Sequence, residues 1–171
     1  MSTGVVNFFA RGLCLAGLGI CAYAFVVLQA KHQNPKHVPY CDIDAQFNCT
    51  GYLTSAHAKG FGLVGKYLGE KSPLNQPNVF YGMGTYAILL LLSFLNYLLV
   101  TRFALLVTFA AAGSVAYLNY ISYFLFKQIC PIEVAAGVAT LLLLVVTLVK
   151  VSKLKGAGAG QKNKNKKKKQ K

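Results

Sequence analysis

Apolar residues gather into four long runs, at 8–28, 78–100, 103–126 and 129–149, separated by polar links. Each run holds roughly 20 residues, the length that crosses a ~30 Å hydrocarbon layer as a helix. A segment in lipid must satisfy its backbone groups internally, so each run is predicted to be helical. Only Thr101 and Arg102 divide the second run from the third, and only Lys127 and Gln128 the third from the fourth. Links this short force antiparallel neighbours, and the last three spans form an up-down-up bundle. The pattern therefore predicts an all-α membrane protein, a four-transmembrane-helix bundle with one long loop, 30–77. Within the loop, Phe61, Val64 and Leu68 recur at helical spacing beside Lys59, Lys66 and Lys71. That predicts a short amphipathic helix at the membrane surface, which either roofs a space between helix ends or tethers the loop.

Exceptions to the apolar pattern refine the picture. Gly12, Ala16 and Gly19 in the first span, Gly82 and Gly84 in the second and "AAAGS" in the third are small residues of the kind that lets helices approach. Asn119 and Ser122 in the third span read as hydrogen-bonding groups between helices, or as ligand contacts. The "AYA" at 22–24 imitates a signal-peptide cleavage site, but no Lys or Arg precedes the run before Arg11 and the run continues past it. The first run is therefore read as a span.

The charge is +14, yet ten of the eighteen basic residues are lysines between Lys150 and Lys171. A high charge carried by one tail describes that tail, not a nucleic-acid-binding face. The chain thus divides into a transmembrane domain, 1–149, and a lysine-rich, disordered tail, 150–171. That tail is either a solvated charge run or a segment drawn to anionic membrane lipids. The positive-inside rule puts it in the cytosol, and four spans bring the N-terminus to the same side. The loop 30–77 then lies outside the cytosol, although Lys31, Lys36, Lys59, Lys66 and Lys71 pull weakly the other way. The last four residues, "KKQK", fit a dilysine retrieval signal for the endoplasmic reticulum membrane.

Five cysteines sort by this topology. Cys14 and Cys21 lie inside the first span, as small apolar filler. Cys41, Cys49 and Cys130 share the non-cytosolic, oxidising side, and three cysteines cannot all pair with one another. The loop pair "CDIDAQFNC" is either a structural staple or a redox-exchange pair. No metal site is expected, since these cysteines lack the compact spacing of a zinc site, and His32, His37 and His57 read as solvated loop residues. Asn48-Cys49-Thr50 also fits the N-glycosylation pattern, with a candidate redox cysteine at its centre.

Taken together, the loop pair, "GFGLV", "SPLNQPNVFYG" leading into the second span, "AGSVAYL" in the third and a cysteine opening the fourth resemble the vitamin K epoxide reductase family. Cys14 in "LCLAGL" also sits where that family has a cysteine. The resemblance covers roughly residues 11–149. It implies a four-helix bundle that reduces a quinone, vitamin K or its epoxide, near the lumenal helix ends, with no bound cofactor. A lumenal thioredoxin-like oxidoreductase would supply electrons to Cys41 and Cys49, and these would pass to a Cys-x-x-Cys at the head of the fourth helix. Asn78, with Phe80 and Tyr81 beside it, would bind the substrate.

The chain departs from that pattern at its centre. Cys130 matches the first cysteine of the pair, Glu133 stands at the second, and Gly137 occupies the position of a quinone-binding tyrosine. A carboxylate cannot cycle between thiol and disulfide, so Glu133 cannot deliver electrons. It would instead protonate a developing alkoxide or enolate, or simply favour the start of a helix whose first position suits Pro131. A helix N-terminus promotes thiolate at Cys130, and an anionic Glu133 opposes it. The chain is read as a membrane thiol oxidoreductase of the vitamin K cycle. The alternative is a catalytically impaired relative that binds a quinone-like lipid or exchanges disulfides with a lumenal partner.

Overall fold

The computed structural model describes residues 3–36, 38–44 and 46–169. His37 and the last two residues of "KKQK" lie outside that range. Six α-helices follow in order: α1 Thr3–Gln33, α2 Thr50–Leu53, α3 Val64–Leu68, α4 Asn78–Ser93, α5 Leu98–Phe126 and α6 Pro131–Lys169. α1, α5 and α6 are long and apolar enough to cross a membrane, and α4 is a shorter apolar helix. α1 packs on α4 and α6, α6 also packs on α5, and α4 meets α5, which closes the four-helix membrane bundle. One end carries the loop between α1 and α4, together with all four acids of the chain; the other carries the tail.

The ends of the helices depart from the hydropathy runs. α1 extends the 8–28 run in both directions, and His32 belongs to its last turn rather than to a loop. α4 stops at Ser93, and residues 98–100 already belong to α5, so Thr101 and Arg102 sit in the first turns of α5 rather than in a link. The true turn, 94–97, is held by side chains. Asn7 donates to Asn96 at 2.9 Å, and Lys150 Nζ donates to Ser93 O and Leu95 O at 3.2 and 3.1 Å. A cation thus satisfies carbonyls that the end of a helix leaves open. Lys150 is buried and lies within α6, which continues to Lys169 where the sequence reading expects a disordered tail. Extending a formed helix avoids the cost of a new nucleus, which is what carries it across Gly156, Gly158 and Gly160, all poor helix formers.

Helix faces are also reassigned. A Cβ on Gly12, Gly19 or Gly84 would meet nothing within 4 Å. The close approaches fall at Gly17, whose Cβ would run into the Tyr86 ring, and at Gly82, where a Cβ would come within 3.0 Å of Cys21 Sγ. Asn119 donates to Val115 O and Ser122 to Gln128 O, so both bond locally rather than between helices. The polar cross-link is instead Tyr86, whose hydroxyl reaches Ala136 O at 3.1 Å and Thr140 Oγ1 at 2.8 Å on α6.

The expected amphipathic helix is broken. Gly60, Phe61 and Gly62 have φ of 51°, 59° and 71°, and only the five residues of α3 are regular beyond them. Two glycines make the left-handed turn cheap, while Phe61 carries strain worth about 1–2 kcal/mol. Asn78 holds the turn: Phe61 N–H donates to its Oδ1 at 2.8 Å, and its Nδ2 donates to His57 O at 3.0 Å. A second tie joins Gly60 N–H to Gln76 O at 2.8 Å. Phe61 is thereby turned inward, its ring 5.3 Å from that of Tyr81.

Candidate functional site

Two features meet at the loop end. The first is a chain of thiols. α5 ends at Phe126 and is capped by Lys127 with φ of 50°, and the link returns past Ile129, which pairs with Phe47 of the loop. Ile129 N–H donates to Gln46 O at 2.7 Å. This bridge lays the loop across the head of α6 and brings Cys49 Sγ within 3.1 Å of Cys130 Sγ. On the other side of Cys49, its Sγ, Cys41 Sγ and a carboxylate oxygen of Asp42 all lie within 4.8 Å of one another.

Asp42 fixes this arrangement. One carboxylate oxygen accepts from Cys49 N–H at 2.8 Å and Thr50 N–H at 3.0 Å, and the other accepts from the Thr50 hydroxyl. The carboxylate therefore caps α2 across the loop. With those oxygens committed, the cluster is better suited to hold a thiol than to hold a metal ion. Cys41, Cys49 and Cys130 are all free thiols. Burial, with the Cys49 hydrogen bond and the charge of Asp42 behind it, pushes the Cys41 thiol up to about 12. The hydrogen bond from Cys130, followed by burial, holds Cys49 in its thiol form as well. Cys49 and Cys130 are 0% and 1% exposed, so an outside reagent meets Cys41 first. Cys41 opens onto a shallow groove with Tyr23, Tyr40 and Ile43.

The second feature is an apolar cavity of about 340 Å³ between the helices. Its loop-end wall includes Tyr52, Phe61, Asn78, Tyr81 and Glu133. Tyr52, 1% exposed, was not singled out from the sequence. Its hydroxyl interacts with the Glu133 carboxyl and the Asn78 amide. Burial first, and then the Glu133 charge, raise the phenol above its ordinary range. Glu133 Oε2 is buried and makes no hydrogen bond among the described residues. Both sequence readings of Glu133 keep a footing: it stands in the first turn of α6, where a carboxylate favours the helix dipole, and its side chain also meets Tyr52 and the cavity. The signal that would have found Tyr52 is its place one turn beyond Cys49.

The expected site residues thus separate. Asn78 and Tyr81 line the cavity, but Asn78 is spent on the loop turn and Tyr81 donates to Leu74 O. Phe80 packs against Phe25, the ring centroids 5.4 Å apart and the planes tilted by 60°, and is not on the wall. Cys130 touches neither solvent nor cavity. Gly137 is off the wall too: a Cβ there would press on Val115 at 3.3 Å and sit 3.7 Å from Asn119. A tyrosine at 137 would have to displace α5 side chains. Cys14 and Cys21 are buried, and Cys21 is the one cysteine on the cavity wall among the described residues. His57 is half-buried and gives its carbonyl to Asn78.

Known proteins resemble this chain in sequence. Subunit 1 of the vitamin K epoxide reductase complex from Rattus norvegicus is 34% identical over 118 residues, which is 69% of this chain and 73% of the rat protein. The Mus musculus counterpart is 32% identical over the same length and shares. The sequence profile of the Vitamin K epoxide reductase family matches residues 9–148, nearly the whole bundle and both features of its loop end, and the chain belongs to that family.

Proposed function

We propose that the chain is a membrane thiol–disulfide oxidoreductase of the vitamin K epoxide reductase type, resident in the endoplasmic reticulum. Its redox groups are Cys41, Cys49 and Cys130, and its cavity takes a lipophilic quinone or quinone epoxide. The observation that carries this reading is the 3.1 Å approach of Cys49 Sγ to Cys130 Sγ with Cys41 close behind. A dithiol on a lumenal thioredoxin-like partner would reduce a Cys41–Cys49 disulfide by exchange, leaving the partner oxidised and two thiols here. Oxidation of Cys49 and Cys130 to a disulfide then releases two electrons and two protons, which convert a quinone to a hydroquinone.

A second reading has a specific observation behind it. Cys130 is off the cavity wall and Glu133 is on it, so the last transfer lacks a thiol in contact with the ligand. In that reading the chain exchanges disulfides and holds a quinone-like lipid with little turnover. Quinone reduction by the purified chain with dithiothreitol separates the two. Weak turnover that disappears in Cys49→Ser and Cys130→Ser supports the reductase; turnover unchanged by either substitution overturns the thiol path. Trapping of mixed disulfides through Cys41 tests the partner step, and its failure in lumenal extracts removes that step.

A further inference from the structure

The cavity wall is apolar apart from a few side chains, and their hydrogen bonds can be followed one by one. Asn78 Nδ2 donates to His57 O and interacts with Tyr52, and its Oδ1 accepts from Phe61 N–H. Tyr81 donates to Leu74 O, and Thr85 to Tyr81 O. Tyr86 is bonded to Ala136 O and Thr140, Ser114 donates to Ala110 O, and Thr140 donates to Ala136 O. The Tyr52 hydroxyl is engaged with Glu133. These oxygen and nitrogen donors are therefore engaged, the Cys21 thiol being the weak donor that remains, and on this wall the buried acceptor oxygen with no hydrogen bond among the described residues is Glu133 Oε2.

A bare quinone brings only carbonyl acceptors and finds none of these donors free. A buried polar atom without a partner costs free energy, which a ligand hydroxyl at that point would recover. We propose that Glu133, positioned by Tyr52, is the head-group contact of the cavity and selects lipophiles whose head carries a hydroxyl, so that a hydroquinone or phenol binds ahead of the matching quinone. Only the choice of hydroquinone rests on the quinone-class reading above; selection of a hydroxyl over its ether does not. In a family member with a thiol at this position the wall would present a nucleophile. Here it presents a hydrogen-bond acceptor.

The test is equilibrium binding to the purified full chain at pH 8, without oxygen. The probes are a prenylated naphthohydroquinone, the matching naphthoquinone, a long-chain alkylphenol and the methyl ether of that phenol. The chain should bind each hydroxyl form about tenfold tighter than its partner, the scale of one hydrogen bond to a charged group. In Glu133→Gln the phenol-to-ether ratio should fall to within about twofold, and Glu133→Leu should abolish it, since the acceptor is replaced or lost. Equal affinity of the unaltered chain for phenol and ether overturns the inference without any variant, as does a ratio that survives both substitutions. Selection of phenol over ether, with neither naphthoquinone form bound, supports the head-group contact and removes the quinone-class reading. Failure of all four probes to bind removes both.

Discussion

Cys130 and Glu133 stand one turn apart at the head of α6 and serve different surroundings. Cys130 precedes the first helical residue and meets the loop, packed against Cys49 and closed to solvent and cavity. Glu133, the third helical residue, meets the cavity and Tyr52. The thiol side is built from a loop bridge, a capping carboxylate and three buried sulfurs. The cavity side is built from helix faces, a left-handed turn and a carboxyl with one idle oxygen. The proposed redox and binding sites thus share a helix start and a packed core around Tyr52 and Ile132, and position 133 is where they would join.

The thiol side responds to pH through Cys41. With its thiol pushed up to about 12, Cys41 is protonated at neutral pH. A raised value means that thiolate, and alkylation, increase as pH rises and vanish as it falls. Alkylation of Cys41 should grow about tenfold per pH unit, hence about a hundredfold from pH 7 to 9. Mass-spectrometric labelling that levels off by pH 8 would contradict the buried thiol.

On the cavity side the largest loss should follow removal of the turn holder. Asn78→Ala deletes both bonds to the loop turn and leaves the Phe61 N–H and His57 carbonyl without partners. Unmet buried groups predict a loss of roughly 2–3 kcal/mol, read from denaturant unfolding in detergent, with weakened ligand binding. Cys41 alkylation should hardly change, because Asn78 takes no part in the thiol chain.

Packing sharpens the comparison further. Gly17→Ala should cost roughly 1–3 kcal/mol, since the methyl group would meet the Tyr86 ring, whereas Gly12→Ala should be neutral within about 0.5 kcal/mol. Equal effects at the two positions would contradict the assigned face of α1. The smallest change belongs to the thiol side: Cys41→Ala removes the competitor for Cys49 and should raise the Cys49–Cys130 disulfide severalfold in non-reducing peptide maps. Complete absence of that bridge would leave the loop pair without an exchange route.

The number of spans was legible because span length and apolarity are set by the bilayer itself. Helix faces were not, because a helix that is apolar all round carries no stripe to show which side packs. Gly12 and Gly19 are chemically as good as Gly17, and only the position of Tyr86 on α4 separates them. The turn at 94–97 was hidden for a related reason: "FLNY" is apolar enough to continue the run, and what ends α4 is a lysine more than fifty residues away. At the site, the cysteines and Glu133 were legible by type and order. Tyr52 was not, since a tyrosine in a loop says nothing until α2 turns it inward. Phe80 and Gly137 were placed on the site by resemblance, and helix rotation takes both off the cavity wall.

The separation at position 133 is tested most directly by Glu133→Cys. Cys130 at the cap and residue 133 in the first turn are three apart, the spacing at which side chains on a helix become neighbours. An introduced thiol would therefore lie within reach of Cys130 and on the cavity wall at once. The measurement is hydroquinone formation by the purified chain with dithiothreitol, parent and variant side by side. Restoring a thiol pair in contact with the ligand predicts a gain of about a hundredfold or more, the scale of a nucleophile gained or lost. Gly137→Tyr added to this variant should bring no further gain, given the contact with Val115. A parent chain that already turns over as fast as Glu133→Cys would contradict the account, because its thiols would then reach the ligand despite Glu133.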